Sequence, residues 1–299
     1  MNRIPVSVVV MTKNEERNIE KCLRALADFD EVFVIDSNST DRTAELARDH
    51  GAIVVPFTWD QKYPKKKQWC LENLPFSHDV VLYVDADEEM TPPLAREIAA
   101  SLPRFDKGMG GAFVGFDYVF CGKPLRHGHR VYKLVLLHRQ RARFLDYNDL
   151  DVAHMWEVEG HYQPEVQGGT FVMKGRMGHN DHDGLFHYFD KHNRYSDWEA
   201  NLRVKGLMND PREANMGMRS LLKRIFQALP FKAPAVFLHT YLFHLGFLDG
   251  KVGLDYAVAR AMYYWQIGLK SQEVREARRA ASQAAHADAV TQSVSQSAR

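Results

Sequence analysis

Cysteine is scarce in this 299-residue chain: Cys22, Cys70 and Cys121 are the three it has, far apart and without Cys-x-x-Cys spacing. That argues against a disulfide framework or a thiolate zinc knuckle and fits a reduced, cytoplasmic compartment. Charge of one sign is missing too, since 39 Lys and Arg against 38 Asp and Glu leave a formal net charge of +1. Nothing global therefore draws the chain to nucleic acid, and any basic surface must be local. No stretch reaches the roughly 20 uninterrupted apolar residues of a membrane span. The run Ile4 to Val10 is too short for a signal peptide and has no small-residue cleavage site, so it reads as a first strand. Internal repeats are absent. What is present is a hydrophobic content of 45%, ample for a core.

The apolar pattern alternates between two periods. Val6 to Met11 is a β-branched run, and Glu15 to Leu26 carries Ile19, Cys22, Leu23 and Leu26 at helical spacing. Glu31 to Asp36 predicts a second strand, Ser39-Thr40-Asp41 the cap of a second helix that stops at His50-Gly51, and Ala52 to Pro56 a third strand. A helix through Lys67, Trp69 and Leu71 precedes a fourth strand, Val80 to Val84. Strands alternating with helices at this interval predict an α/β fold with a mainly parallel sheet, whose ligands bind beyond the strand C-termini.

Three polar clusters follow those strand ends: Thr12 to Glu16, Asp36 to Asp41, and Asp85-Ala86-Asp87 with Glu88 and Glu89. In extended backbone Asp85 and Asp87 project to the same side, and two carboxylates that close are stabilised by a divalent cation. The competing reading is a solvated turn whose acids favour the N-terminus of the helix starting near Thr91-Pro92-Pro93. Ser39 and Asp41 also read as ordinary caps. Lys65 and Lys66 read as a solvated helix start.

The stretches VSVVVMTKNEERNIEKCLRAL, DEVFVIDSNSTDRTAELA and LYVDADEEMTP, in this order, resemble the nucleotide-sugar half of the family 2 inverting glycosyltransferases with the GT-A fold. The branch resembled is that of lipopolysaccharide core β-glucosyltransferases and other transferases of surface polysaccharides, including exopolysaccharides. The resemblance implies a metal-dependent inverting transfer of a hexose from a nucleotide diphosphate sugar, UDP-linked, to a lipid-linked or core saccharide. It places Thr12, Glu15, Asp36 and Asp85 at the nucleotide sugar, with Lys67 and Arg194 as candidates near the diphosphate. Asp87, Asp85 and His179 become candidate ligands of Mn²⁺ or Mg²⁺, hard cations that suit oxygen donors.

Inversion also requires a base to take the acceptor hydroxyl proton. By resemblance it lies in His154 to Glu165, where the related branch often has a His-Glu pair from which this chain departs. Glu157 and Glu159 are favoured over Glu165, with no choice between the first two; pairing with Arg141 or Arg143 is the alternative for either. The histidines His182, His187 and His192 read as surface or packing residues, while Trp198 is assigned by resemblance to the diphosphate or acceptor. The aromatic and basic stretch Met109 to Arg143, with Phe116, Tyr118, His129 and Lys133, suits either the acceptor side of the cleft or a β-rich core with solvated ends.

The expected organisation is a transferase domain over 1–205, divided into a nucleotide-sugar half (1–105) and an acceptor half (106–205). An amphipathic helical region follows over 206–271, either lying on the cytoplasmic face of the inner membrane or packing on protein, with a polar, partly disordered tail over 272–299. A sugar nucleotidyltransferase is the alternative enzyme, but Thr12-Lys13-Asn14-Glu15 lacks its glycine-rich basic loop. A non-catalytic saccharide-binding or scaffold protein on the same fold is the alternative outside enzymes.

Overall fold

The computed structural model describes residues 3–128, 130–152, 155–159, 163–179, 184–207, 226, 229 and 231–297, with 179 and 285–297 described for the backbone alone. The first half winds as the periodicity predicts: β1 (Ile4–Thr12), α1 (Ile19–Ala25), β2 (Phe29–Asp36), α2 (Thr43–Asp49), β3 (Ile53–Pro56), α3 (Lys66–Asn73) and β4 (Val80–Asp85). Val8, Val9 and Val10 are wholly buried, as β-branched residues are in a strand covered on both faces. Gly51 ends the second helix with φ near +79°, the left-handed cap expected there. The cap at its start is displaced by one step: Asp41 accepts the Thr43 amide at 3.0 Å and the Glu16 amide at 3.1 Å, and Arg42 takes the capping position.

The second half adds β5 (Glu88–Glu89), α4 (Pro92–Asp106), β6 (Met109–Phe120), β7 (Lys123–Pro124), β8 (Tyr132–His138), β9 (Ala142–Arg143), β10 (Glu165–Val166), β11 (Gly169–His179) and α5 (Leu185–Lys205). The main sheet runs β3-β2-β1-β4-β8-β6-β11-β5. Its first four strands are parallel, β8 is antiparallel to both neighbours, and β6 and β11 are parallel to each other. From β1 the chain goes first to β2 on one side and later to β4 on the other, so a topological switch point opens beyond the C-termini of β1 and β4. Register makes this a level edge, with Thr12 opposite Asp36 and Met11 opposite Asp85.

From Ala233 the described residues are mainly helical: α6 (Ala233–Leu238), a π turn (His239–Phe243), a 3₁₀ turn (Gly246–Asp249) and α7 (Gly250–Ser297). Where an irregular tail is expected beyond Gln272, the backbone continues as the same helix. Of the amphipathic region expected over 206–271, residues 208–225, 227, 228 and 230 lie outside the described residues. Asp249 fastens this module to the acceptor half by accepting the Arg126 and His127 amides at 3.2 and 2.8 Å. Gly253 lets α7 start against the turn, since a Cβ there would stand 1.9 Å from the Gly246 carbonyl oxygen. Phe120 of β6 sits 5.4 Å from Tyr256 and 5.1 Å from Tyr188, which anchors both long helices to the sheet.

The reading of Lys65 and Lys66 as a solvated helix start is overturned, because they are 2% and 1% exposed. Lys65 Nζ lies 2.8 Å from Asp149 Oδ2, and Trp198 Nε1 donates to the same oxygen at 2.7 Å. Two partners converge on one carboxylate, so α3, the loop after β9 and α5 are tied at a single point. Trp198, expected near the diphosphate or acceptor, is thus a buried structural donor. Asp149→Ala is expected to destabilise the fold by about 3–5 kcal/mol, read by urea denaturation, because it leaves a buried ammonium unpaired. Lys65→Met combined with Asp149→Leu should cost less than that single change.

Candidate donor-binding cleft

A cleft of about 600 Å³ opens at the switch point. Met11, Thr12, Lys13 and Glu15 after β1 form one side, with Lys66 and Lys67 of α3 and Asp85, Ala86 and Asp87 after β4. Ala86 is buried, which leaves the flanking carboxylates at the lip as the two-residue strand period requires. Asp36 stands just behind this wall: it is 5% exposed, takes Thr12 Oγ1 at 3.2 Å, and accepts the Ser39 amide at 3.0 Å. Its carboxylate orders the turn after β2. Lys66 Nζ crosses the gap between strand ends, donating to Ser37 Oγ at 2.6 Å and the Thr12 carbonyl at 3.3 Å. Burial lowers its pKa even though the Glu157 carboxylate opposes that shift.

The acid lip is held by a residue that the sequence offered only as part of a basic and aromatic stretch. Lys133 of β8 places Nζ 3.1 Å from Asp85 Oδ2 and 2.6 Å from Glu88 Oε1, and 4.6 Å from the centre of the Phe116 ring. Glu88 also accepts the Asp85 amide at 2.9 Å. Burial pushes the Asp85 carboxyl up, but Lys133, Lys67 and Lys191 overcome it and hold the group well below its usual range. Glu88 goes the other way: burial and the carboxylates of Asp85 and Asp87 outweigh Lys133 and push it up to about 8. For Lys133 itself burial lowers the pKa, and the two acids raise it well above the ordinary lysine value.

The two glutamates favoured as base both line the cleft but carry different loads. Glu159 is 1% exposed and accepts the Lys67 and Gln68 amides at 2.7 and 2.8 Å, capping the first turn of α3. Glu157 is half-buried, takes a short hydrogen bond from Ser37 Oγ, and lies 3.3 Å from Lys66 Nζ. Glu165 pairs with Arg143 in the β9–β10 ladder, away from the cleft wall. Arg194 does not reach the cleft either; it is exposed on α5 and forms an ion pair with Asp190 at 2.9 Å. The backbone of His179 stands opposite Glu88 in the β11–β5 pairing, beside the acids, while its side chain lies outside the described residues. His129, His154, His161 and His182 lie outside them as well. His187 is exposed, and His192 stacks 4.0 Å from Tyr188 at the cleft.

The far wall comes from the two long helices, with Tyr188, Lys191, Tyr195 and Glu199 of α5 and Tyr256, Arg260, Tyr263 and Tyr264 of α7. The α5 members fall at steps of three and four, a helical stripe visible in the sequence. What the sequence hides is that this stripe faces the sheet edge across a gap. Part of the region read as interfacial or packing surface is therefore cleft wall.

Lys133→Met is expected to lose about 3 kcal/mol of stability at roughly pH 9 in the absence of metal, by thermal or urea unfolding, since Asp85 and an ionised Glu88 then face each other uncompensated. Protonation of either carboxyl removes that repulsion. Glu88 is pushed up to about 8 even beside Lys133 and rises further without it, so the gap to wild type should shrink as the pH is lowered from about 9 to about 7, and a gap that widens would count against this account.

The Glycosyl transferase family 2 model matches residues 7–156, half of the chain. An "Uncharacterized glycosyltransferase" of Rickettsia bellii is 32% identical over 148 residues, 48% of this chain and 43% of that protein, so the chain spans less than half the length of that relative. The "Lipopolysaccharide core biosynthesis glycosyltransferase LpsC" of Rhizobium meliloti is 24% identical over 90% of this chain and 96% of its own. Among solved structures, the mannosyltransferase PcManGT of Pyrobaculum calidifontis, in complex with GDP-Man and Mn²⁺, aligns with a TM-score of 0.51 over 90% of this chain and 87% of that one at 14% identity. That likeness concerns the fold, which is the GT-A type. With three strand-end motifs around one cleft and the matched segment covering all of them, the chain belongs to glycosyl transferase family 2.

Proposed function

We propose that the chain moves a hexose, with inversion, from a UDP-linked donor to a lipid-linked or core saccharide in the synthesis of cell-surface glycans. The observation that carries this reading is the convergence of Thr12, Glu15, Asp85 and Asp87 on one cleft at the switch point of a parallel sheet. Among the described residues no three His, Cys, Asp or Glu converge as a closed metal cage. Two carboxylates at an open lip suit Mn²⁺ or Mg²⁺, which take one or two protein oxygens and complete their shell with substrate phosphates and water. Asp87 and Asp85 would hold the cation, His179 is the further candidate ligand, and the cation would neutralise the departing diphosphate.

The chain's own residues supply the rest. Thr12 and Glu15 line the nucleotide end, with Asp36 ordering the turn behind them. Lys67, half-buried on the same wall, offers an ammonium to the diphosphate. Of the two glutamates, Glu157 is the better base, because the Glu159 oxygens are committed to the backbone of α3. Deprotonating the acceptor hydroxyl as the anomeric bond breaks is the step assigned to it.

The same reading puts the protein peripherally on the cytoplasmic face of a membrane. No described helix is long and apolar enough to cross one. Yet Leu238, Leu242, Phe243, Phe247 and Leu248 are exposed together around the turns after α6, with Phe243 at 79%. Leu254, Val258, Met262, Trp265 and Leu269 continue as an exposed row on α7. An apolar surface of this extent suits the headgroup boundary of a bilayer.

Hydrolysis of UDP-hexoses, assayed with and without Mn²⁺, is the direct test. Wild type should require the metal, and Asp87→Ala should lower the rate by at least about 100-fold, the scale of a bound cation's contribution. Metal-independent turnover unaffected by the substitution would sink the mechanism. Glu157→Gln should lower kcat for transfer by about 10²–10⁴-fold with donor binding kept. A raised donor KM at unchanged kcat would assign Glu157 to nucleotide recognition instead. Cosedimentation with phosphatidylglycerol vesicles should retain the wild type and lose a Phe243→Asp, Leu248→Asp variant; equal retention of both would remove the membrane assignment.

A further inference from the structure

The wall that α5 and α7 present to the cleft is cationic and aromatic, and Arg260 on it forms no ion pair among the described residues. Arg260 is largely buried, and its Nε has no hydrogen-bond partner among the described residues. Among those residues it also forms no ion pair with a carboxylate: Tyr256 hydrogen-bonds its guanidinium, whose carbon stands 5.9 Å from that ring, and Glu199 feels its charge without pairing with it. Glu199, the one acid on this wall among the described residues, is already engaged by Arg203 at 3.3 Å and by the Tyr263 hydroxyl at 2.9 Å. Lys191 adds a second positive charge to the same wall.

Burying a guanidinium without a directly paired counter-charge is costly, and one neutral hydrogen bond and a ring face offset only part of the cost. Such a group is compensated when an anion enters. The two cations also differ in place. Lys191 is near enough to the acid lip to help depress Asp85, whereas the groups acting on Arg260 are Tyr256, Tyr264 and Tyr188, all on the helices. The wall thus runs from the donor's leaving group at Lys191 to a separate positive end at Arg260. Between them, Tyr195, Tyr263 and Tyr264 offer rings of the kind that pack on sugar rings.

We propose that this wall is the acceptor subsite and selects a saccharide bearing an anionic group, a phosphate or a carboxylate, which Arg260 anchors while the tyrosines hold the ring. The proposal rests on the transferase reading and names the acceptor class that reading leaves open. Guanidinium suits the role because its planar fork pairs with phosphate or carboxylate through two parallel hydrogen bonds.

The test is isothermal titration of the full chain, with UDP and Mn²⁺ first added to fill the donor end. Glucose 6-phosphate, glucuronate, glucose, inorganic phosphate and dodecyl phosphate are then titrated in turn. The phosphohexose or the uronate should bind at least about tenfold more tightly than glucose, and Arg260→Gln should abolish that difference while Arg260→Lys keeps part of it. Tighter binding of dodecyl phosphate, lost in the same variant, would support the proposal with a lipid phosphate as the source of the anion; preference for the phosphohexose would place it on the saccharide. Inorganic phosphate binding as tightly as the phosphohexose would overturn the saccharide assignment. Equal affinity for glucose, its phosphate and glucuronate, or an anionic-sugar preference unchanged in Arg260→Gln, would overturn the proposal as a whole. Should Arg260→Gln fail to fold by circular dichroism, Arg260→Lys, which keeps the charge and loses the planar fork, carries the comparison, with a partial loss of the preference expected and an unchanged preference overturning the proposal. Absence of UDP binding would count against the donor reading alone, because the phosphohexose titration without nucleotide still reports on Arg260.

Discussion

Carboxylates packed closely at the end of a strand repel one another, and this fold is arranged around that repulsion. Asp85, Asp87 and Glu88 crowd the end of β4, and the Lys133 ammonium stands between two of them. Lys133 comes from β8, the first antiparallel strand beyond the parallel set, so one ion pair joins the nucleotide side of the sheet to the acceptor side. The Asp85 amide adds a hydrogen bond to Glu88, which fixes the turn between β4 and β5. Charge balance at the lip and alignment of the two halves are therefore the same interaction. On the proposed reading a divalent cation enters a site whose acids are already positioned, so little reorganisation is needed when donor and metal arrive together.

The three consecutive lysines show how burial divides a run of identical residues. Lys65 is spent on Asp149, Lys66 on the strand-end turns and Glu157, and Lys67 keeps its ammonium at the cleft. Since α3 begins at Lys66, the first two point back into the body from the helix start, where Asp149, Met155 and Glu157 close over them. That segment also supplies Glu159 to the amides of the first turn of α3. The placement of Glu157 at the cleft thus depends on a packed segment fixed by buried charges, which is how a loop comes to hold a side chain firmly.

Local signals were legible where the physics was local. The strand and helix periods of residues 4–85, the left-handed Gly51 and the shared edge of Thr12, Asp36 and Asp85 all follow from repeats of two and 3.6 and from the parallel pairing these imply. The burial of Lys65 and Lys66 was not legible, because charge-run statistics carry no information about an acid 84 residues further on. The commitment of Asp36 to Ser39 and Thr12 was hidden for the same reason, as a strand-end acid reads alike whether it faces a ligand or its own turn. Lys133 and Arg260 stood in plain view as residues. Their significance lay in the distance between elements, which no single stretch encodes.

The helix α7 joins the two surfaces on which the functional reading turns. Tyr256, Arg260 and Tyr263 face the cleft at helical spacing, while Leu254, Val258, Met262 and Trp265 stand exposed on the same helix. A helix has one axis, so whatever seats the apolar row also sets the height of the tyrosine and arginine wall above it. Asp249, held by the Arg126 and His127 amides, and the close start of α7 at Gly253 leave that axis little freedom relative to the sheet. If the apolar row rests in a headgroup layer, the positive end of the cleft is carried to the level where anionic groups of a lipid-linked acceptor lie. Membrane attachment and acceptor selection would then be two faces of one rigid helix, and an acceptor dissolved in water would gain nothing from the outer face.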